Sequence, residues 1–291
     1  MIMRRTLILD GKVAALARER ILRKRIEGLS VPPSLAIVCV GGDERSLAYI
    51  RRKKKMAERI GVSVLVHEQS ANATPREVKS LISQLNADPK ITGIIVQLPL
   101  PKHLEPLDIL SAVDPRKDAD GLAPKNFVAL ISGKPNIIPA TTRGVISLLK
   151  HYKIEIAGKR VAVLGRSMLV GKPTALALLA EDATVTICHS KTADLANIIR
   201  ESDIVVSAIG KPRFLKADLF HAGQVVVDVG ISASPADFLE EDGGSSKKLV
   251  GDVDFEEVSK IVAAISPVPG GVGPMTVISL FENLADLAES K

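Results

Sequence analysis

The chain has no tryptophan, and only two tyrosines and six phenylalanines among its 291 residues. Single-stranded nucleic acid is held on aromatic stacking platforms inside a basic groove. The scarcity of aromatics therefore argues against that class, although the formal net charge is +6. A basic surface suits small polyanions equally well, and only a steep salt dependence of RNA or DNA binding would favour the nucleic-acid reading. Cysteine is scarce too. Cys39 and Cys188 each sit in an apolar, β-branched run, LAIVCV and ATVTIC, and read as buried free thiols in a reducing compartment rather than as a disulfide or a metal site. No apolar run is long enough to span a bilayer, and the start, MIMRRTLILDGK, meets an acidic residue before any signal-peptide core develops. The expectation is a cytoplasmic protein with no metal, no membrane partner and no nucleic acid.

What the chain does have is alternation. Residues 11–27 read as a helix, 35–40 as a strand, 46–60 as a helix, 62–67 as a strand, 75–87 as a helix after Thr74-Pro75, and 92–97 as a strand. Apolar strands alternating with helices predict a parallel α/β sheet. The pattern restarts near residue 141: a helix at about 142–152, a strand at 160–164, a helix from 171, a strand at 184–188, a helix from 192, and strands at 203–209 and 224–229. The length and the restart predict two α/β domains, the second a Rossmann-like nucleotide-binding sheet. EEDGGSSKK (240–248) reads as a mobile surface loop without function, and the last segment, TVISLFENLADLAES, as an amphipathic helix.

The turn after strand 160–164 runs Gly165-Arg166-Ser167-Met168-Leu169-Val170-Gly171. A glycine directly after a buried strand, followed by a helix opening at Gly171, is the layout that seats a pyrophosphate at a helix N-terminus. The middle glycine of G-x-G-x-x-G is absent, and a strand–helix turn that binds nothing would have the same spacing. The next strand ends in His189-Ser190-Lys191. An NAD enzyme commonly places a carboxylate there for the ribose hydroxyls, whereas Arg166, Ser190 and Lys191 can meet a 2′-phosphate, so NADP is the expected cofactor. A solvated surface lysine is the alternative for Lys191.

Four further features stand out as places for chemistry. Ser46 is a plausible N-cap for a helix on which Tyr49 and Lys53, four residues apart, share a face within the first two turns. The basic run 51–55 could equally be an ordinary solvated face. Gln97 ends a strand and precedes Leu98-Pro99-Leu100-Pro101, and it could simply bond nearby backbone. Lys117-Asp118-Ala119-Asp120-Gly121 sets two carboxylates at a turn, which Asx-turn chemistry alone would explain. Pro267-Val268-Pro269-Gly270-Gly271-Val272-Gly273-Pro274-Met275-Thr276 is a constrained loop whose glycines allow close backbone approach to a ligand.

Taken in order, these blocks resemble the FolD-type bifunctional methylenetetrahydrofolate dehydrogenase/methenyltetrahydrofolate cyclohydrolase family. LDGK (9–12), Ser46-x-x-Tyr49-x-x-x-Lys53-x-Lys55, GIIVQLPLP (93–101), KDADG (117–121), GRSxxVGxP (165–173), CHSKT (188–192), GDVDF (251–255) and PVPGGVGPMT (267–276) follow one another along nearly the whole chain. The resemblance implies a folate domain formed by 1–140 plus a C-terminal helix, 275–291, and an NADP-binding domain at 141–274, with folate in the cleft between them. It implies a homodimer acting on tetrahydrofolate derivatives, with NADP as cofactor. Lys53 would be the catalytic lysine and Gln97 its partner. Tyr49 would lie along the folate, and Asp120 would be the carboxylate that holds the pterin. Leu98, Pro269, Gly270 and Gly271 would also line the substrate. Gly165, Arg166, Ser167, Gly171, His189, Ser190 and Ile231 would bind the cofactor.

Three stretches depart from the family pattern: Gly42-Asp43-Glu44-Arg45 before the helix, Pro139-Ala140-Thr141-Thr142-Arg143-Gly144, and Val128. Two rival readings are a shikimate-dehydrogenase-like enzyme, which leaves the PVPGGVGPMT block and Tyr49, Lys53 and Gln97 unexplained, and a folate- or nucleotide-binding protein without catalysis.

Overall fold

The structure is a computed structural model that describes residues 5–42, 44–239 and 245–290. The chain divides into two compact units. One holds the chain up to Ala15 with Thr141–Thr276, and the other holds Leu16–Ala140 with the chain from Val277 onward.

In the second of these units, strands Ser34–Val40, Ser63–Gln69 and Gly93–Val96 form a parallel sheet with Ser34–Val40 in the middle. The middle strand is buried on both faces, which is why it reads as an unbroken apolar run rather than an alternation. Helices Glu44–Ile60 and Pro75–Ala87 connect the strands. The latter starts after Thr74 as expected, with Pro75 in the first turn, and the structure adds a capping box: Thr74 accepts from Glu77 N and the Glu77 carboxylate accepts from Thr74 N. Helix Glu44–Ile60 begins two residues before Ser46. Ser46 is therefore buried inside the first turn rather than capping it, and Lys53 falls in the third turn. Asp43 lies outside the described residues. Two short helices, Pro106–Leu110 and Pro124–Ile131, went unread in the sequence because each is shorter than the window over which a 3.6-residue period shows.

The C-terminal helix Val272–Glu289 departs from the expected two-faced pattern: residues 277–285 are all buried. A helix buried on every side over two turns is a core helix, its few polar residues needing partners. Its acidic residues are matched by arginines of helix Gly11–Glu27, Arg18 to Glu282 at 2.6 Å and Arg25 to Asp286 at 2.7 Å. Gly93 makes room for it, since a Cβ there would stand 2.5 Å from Leu284 Cδ1.

The other unit carries six parallel strands in the order Leu7–Ile8, Ala264–Ile265, Val225–Asp228, Ile204–Ser207, Arg160–Leu164, Thr184–Cys188. Ala162, Leu164, Val205, Val226, Leu215 and Ile265 anchor its core. The first and last strands of the chain's own order in this sheet have only two residues each, too few to announce themselves. Helix Leu195–Glu201 begins three residues after the predicted start. Ser232–Leu239 and Ser245–Val250 pair as an antiparallel ribbon. Residues 245–248, expected in a loop, are thus a strand, while 240–244 lie outside the described residues. The ribbon is held by main-chain bonds, which a polar sequence supplies without apolar alternation.

Candidate functional site

Strand Gly93–Val96 places two of the expected site residues. Its successor Gln97 donates its N–H to Val38 O (2.8 Å), which keeps the residue in register at the carboxyl end of the sheet. On the strand's other side, Ile94 N donates to Lys117 O (2.6 Å) and Ala119 N to Ile94 O (3.3 Å), so the segment leading to Asp120 is laid along the strand like a short extra one. Asp118 then closes the turn. Its buried carboxylate accepts from Gly121 N (3.0 Å), Ala123 N (2.6 Å) and Asn126 Nδ2 (2.8 Å). Burial pushes this carboxyl up to about 6 despite those donors. Gly121 has φ +72°, and a Cβ there would stand 2.8 Å from Pro139 N. Of the two carboxylates in KDADG, Asp118 builds the turn and Asp120 is left for other work.

Lys53 comes in from helix Glu44–Ile60, and its Nζ donates to Gln97 Oε1 at 3.0 Å. Gln97 is itself buried and fixed, since its Nε2 donates to Leu98 O at 2.7 Å. Burial lowers the Lys53 ammonium below the ordinary lysine range, with the negative charge of Asp120 and then the Cys39 thiol opposing it. Burial raises the Asp120 carboxyl, with Lys53 opposing that. A lysine desolvated in this way makes its neutral amine accessible, and its amide partner holds the nitrogen in one direction without adding charge. Tyr49, one turn earlier, has the Arg52 guanidinium 5.6 Å from its ring centroid. Burial raises its hydroxyl, and Arg52 partly offsets this. Structure brings Lys53 and Gln97 into contact and puts Asp120 within electrostatic reach of Lys53.

In the unit containing Thr141–Thr276, the loop Gly165–Val170 joins strand Arg160–Leu164 to helix Gly171–Ala180. Gly165 has φ +127°, and a Cβ there would lie 2.3 Å from Ala208 O; one on Gly171 would lie 2.1 Å from Gly165 O. Both positions need glycine because backbone passes backbone. Ser167, where the middle glycine of the usual pattern is missing, accepts from Val170 N and Gly171 N (3.2 Å each) through its hydroxyl and from Lys172 N (3.0 Å) through its carbonyl. From outside the helix it thereby takes up the N–H of Val170, the N-cap residue, and of Gly171, the first helical residue. After strand Thr184–Cys188, a tight turn fixes His189: its N donates to Thr192 Oγ1 (2.8 Å), and Lys191 N donates to its Nδ1 (3.1 Å). That turn leaves Ser190 and Lys191 exposed, and Arg166 is exposed as well. Asp182, at φ +63°, sits at the opposite end of the strand.

Two buried aspartates set neighbouring loops. Asp252 accepts from Ser207 Oγ (2.8 Å), Ile209 N (2.7 Å) and Lys211 N (2.8 Å). Asp228 accepts from Gly230 N (2.9 Å), just before the exposed Ile231, and from Val253 N (2.8 Å). Burial pushes the Asp228 carboxyl up to about 7. Together they account for GDVDF as a loop-setting motif. In the same unit, Gly11 N donates to Gly270 O (2.8 Å), and a Cβ on Gly11 would run into Gly271 O. LDGK thus packs against the loop that holds Pro269, Gly270 and Gly271, while Asp10 Oδ1 accepts from Lys12 N (2.8 Å) and Val13 N (3.2 Å).

Two family models match the chain: the tetrahydrofolate dehydrogenase/cyclohydrolase catalytic domain over residues 9–120 and the tetrahydrofolate dehydrogenase/cyclohydrolase NAD(P)-binding domain over residues 139–291. The chain belongs to the tetrahydrofolate dehydrogenase/cyclohydrolase family. A bifunctional FolD protein of Campylobacter concisus is 47% identical over 287 residues, covering 98% of each chain. Among solved structures, the FolD methylenetetrahydrofolate dehydrogenase/cyclohydrolase of Campylobacter jejuni superposes with a TM-score of 0.89 at 39% identity, covering 98% of this chain and 99% of its own. The Trypanosoma brucei enzyme, complexed with NADP and an inhibitor, gives 0.89 at 38% identity and covers 98% of both. Within this dehydrogenase/cyclohydrolase, what the sequence concealed are the groups that hold the site in shape. Asp118 was legible only as one of two carboxylates in a turn. Asn126, Asp228 and Asp252 gave no separate signal, because buried aspartates and asparagines have the same letters as exposed ones.

Proposed function

We propose that this chain oxidises 5,10-methylenetetrahydrofolate to 5,10-methenyltetrahydrofolate with NADP and hydrolyses that product to 10-formyltetrahydrofolate, a conversion in one-carbon metabolism. The observation that carries the reading is the desolvated Lys53 held by Gln97 within the field of Asp120.

The folate presents a methylene bridge between two nitrogens. Loss of hydride from that carbon leaves a cation shared by both nitrogens, and NADP, when bound, supplies the hydride acceptor. The residues of the unit containing Thr141–Thr276 suit that cofactor. Gly165 and Gly171 let the loop backbone fold tightly before the helix N-terminus where a phosphate would sit, and Arg166, Ser190 and Lys191 present cationic and hydroxyl groups with no carboxylate among them. Gly171, Ser167, His189 and Ile231 complete the proposed set.

Asp120 accepts from the pterin ring donors, and Tyr49 packs along the aminobenzoate portion. Leu98, Pro269, Gly270 and Gly271 are proposed as further substrate contacts. In the second step water adds to the bridging carbon. Lys53 as free amine takes one proton of the attacking water, leaving a neutral carbinol, and returns it to the nitrogen that leaves; the carbinol hydroxyl gives up its own proton to solvent as the formyl carbonyl forms and the ring opens, while Gln97 keeps the amine aimed. The proposal extends to a homodimer in the cytoplasm, which rests on the family resemblance. No helix among the described residues is long and apolar enough to cross a membrane.

An absorbance assay with methylenetetrahydrofolate, run with NADP and with NAD, follows reduced cofactor and methenyl intermediate together. The native chain should reduce NADP faster than NAD and accumulate little methenyl product. The Lys53→Met variant should lose hydrolysis by at least about 100-fold, the scale of a general acid–base group. Hydrolysis by that variant at the native rate would remove Lys53 from the mechanism.

A further inference from the structure

Asn283 is fully buried on helix Val272–Glu289, in the part of the helix that belongs with Leu16–Ala140. Its Nδ2 donates to Ala119 O and to Ile138 O, both at 2.9 Å. A side-chain amide nitrogen carries two protons, and both are engaged. Ala119 directly precedes Asp120. Ile138 begins the stretch that meets Asp120 from the other side: Ala140 N donates to Asp120 O at 3.1 Å, and Pro139 lies against Gly121. One amide thus ties together the two backbone segments that flank Asp120.

Its own position is fixed in turn. The neighbouring Leu284 lies on Gly93, whose absent Cβ would also stand 3.0 Å from Ala119 Cβ, and Arg18 holds Glu282. Asp118 fixes the far side of the turn through Gly121 N and Ala123 N. Asp120 is therefore set between a carboxylate below it in sequence and an amide from the far end of the chain.

We infer that Asn283 is a positioning residue for substrate binding, acting through the backbone on both sides of Asp120. The inference rests on the proposal that Asp120 binds the pterin. Because both reactions use the same bound ring, a shift of Asp120 weakens folate binding to the same extent in each. It leaves NADP binding alone, and because the Asp120 charge is kept beside Lys53 it changes kcat far less than folate KM.

The test compares Asn283→Ala, Asn283→Gln and Asp120→Asn with the native chain. Folate KM, NADP KM and kcat are measured for both activities, and thermal midpoints are recorded so that each variant is assayed where it is folded. Asn283→Ala should raise folate KM about tenfold in both activities, the scale of one misdirected hydrogen bond to a charged group, with kcat and NADP KM held within about twofold. Asn283→Gln, which keeps the amide on a longer arm, should recover part of the loss, and it carries the test if the alanine variant does not fold. A lowered thermal midpoint with unchanged folate KM, in a series where Asp120→Asn does raise it, would show Asn283 to be structural only and overturn the inference. An Asp120→Asn variant with native folate KM would instead bring down the reading of Asp120, and this inference with it.

Discussion

Lys53 and Asp120 act on each other's protons in opposite directions. Burial pulls the lysine down and pushes the carboxyl up, and each charge resists the other's shift. Asp120→Asn removes the negative charge that raises Lys53, so the lysine should fall further. If neutral Lys53 is the base, the ascending limb of the cyclohydrolase kcat–pH profile moves to lower pH in this variant, measured at saturating folate. A limb that stays put or moves to higher pH would show that it does not report Lys53. The placement of Tyr49 and Lys53 on one helix face and of Gln97 at a strand end was legible, because helix and strand periodicity fix where such side chains project; their roles came from the resemblance. Asp120 was legible as a carboxylate at a turn, but the division of labour with Asp118 was not, since only burial and three donors on Asp118 distinguish them. Asn283 left no trace, because a single polar letter in an apolar helix does not say which distant carbonyls it meets.

Elements reveal more than residues when their signals are local. The start of one helix after Thr74-Pro75 was readable to the residue, and the structure gives the reason: a capping box between Thr74 and Glu77, which involves only near neighbours. Ser46 looked like a similar start and was not, because the helix reaches back to Glu44. The cofactor loop shows the same divide. Its two glycines were visible, but not the reason they must be glycine, which is contact with Ala208 O and with Gly165 O. Gly171→Ala should therefore force the loop open, destabilising the chain by about 1–3 kcal/mol through overpacking and raising NADP KM with folate KM unchanged. Gly28→Ala, where the added Cβ would make only ordinary contacts at 3.4 Å, is the control and should be near neutral. Denaturant unfolding and cofactor titration read both effects; equal behaviour of the two variants would refute the loop argument.

On the scale of the whole molecule, each unit keeps a buried aspartate that holds its proton unusually well, Asp118 at about 6 and Asp228 at about 7. For a carboxyl whose folded value is raised, the contribution to stability is fully present below its unfolded value, near 3.9 in model peptides, and is lost as pH rises through the folded value. The carboxyls lowered by their partners, such as the half-buried Asp114, titrate below this window. The thermal midpoint of the ligand-free chain should thus fall between about pH 4 and pH 7 and level off above. Asp118→Asn and Asp228→Asn, which fix the uncharged form, should flatten the slope even where they lower the midpoint itself. A midpoint that climbs over this range would contradict the assignment. Two α/β domains were legible from the restart of the strand–helix pattern near residue 141, whereas the association of the first residues with the later sheet was not, because a two-residue strand has no pattern to read.

That two-residue strand matters to anyone who would express the cofactor-binding half alone. A fragment beginning at the 139 boundary of the matching family model would keep helix and glycine loop intact, yet it would leave Ala263 O and Ile265 O without the N–H groups of Leu7 and Leu9, and Gly270 O without Gly11 N. The sheet would end in a bare, adhesive margin of the kind through which chains stack into aggregates. A soluble fragment of this half needs residues 5–15 grafted back, by fusion or as a separate peptide.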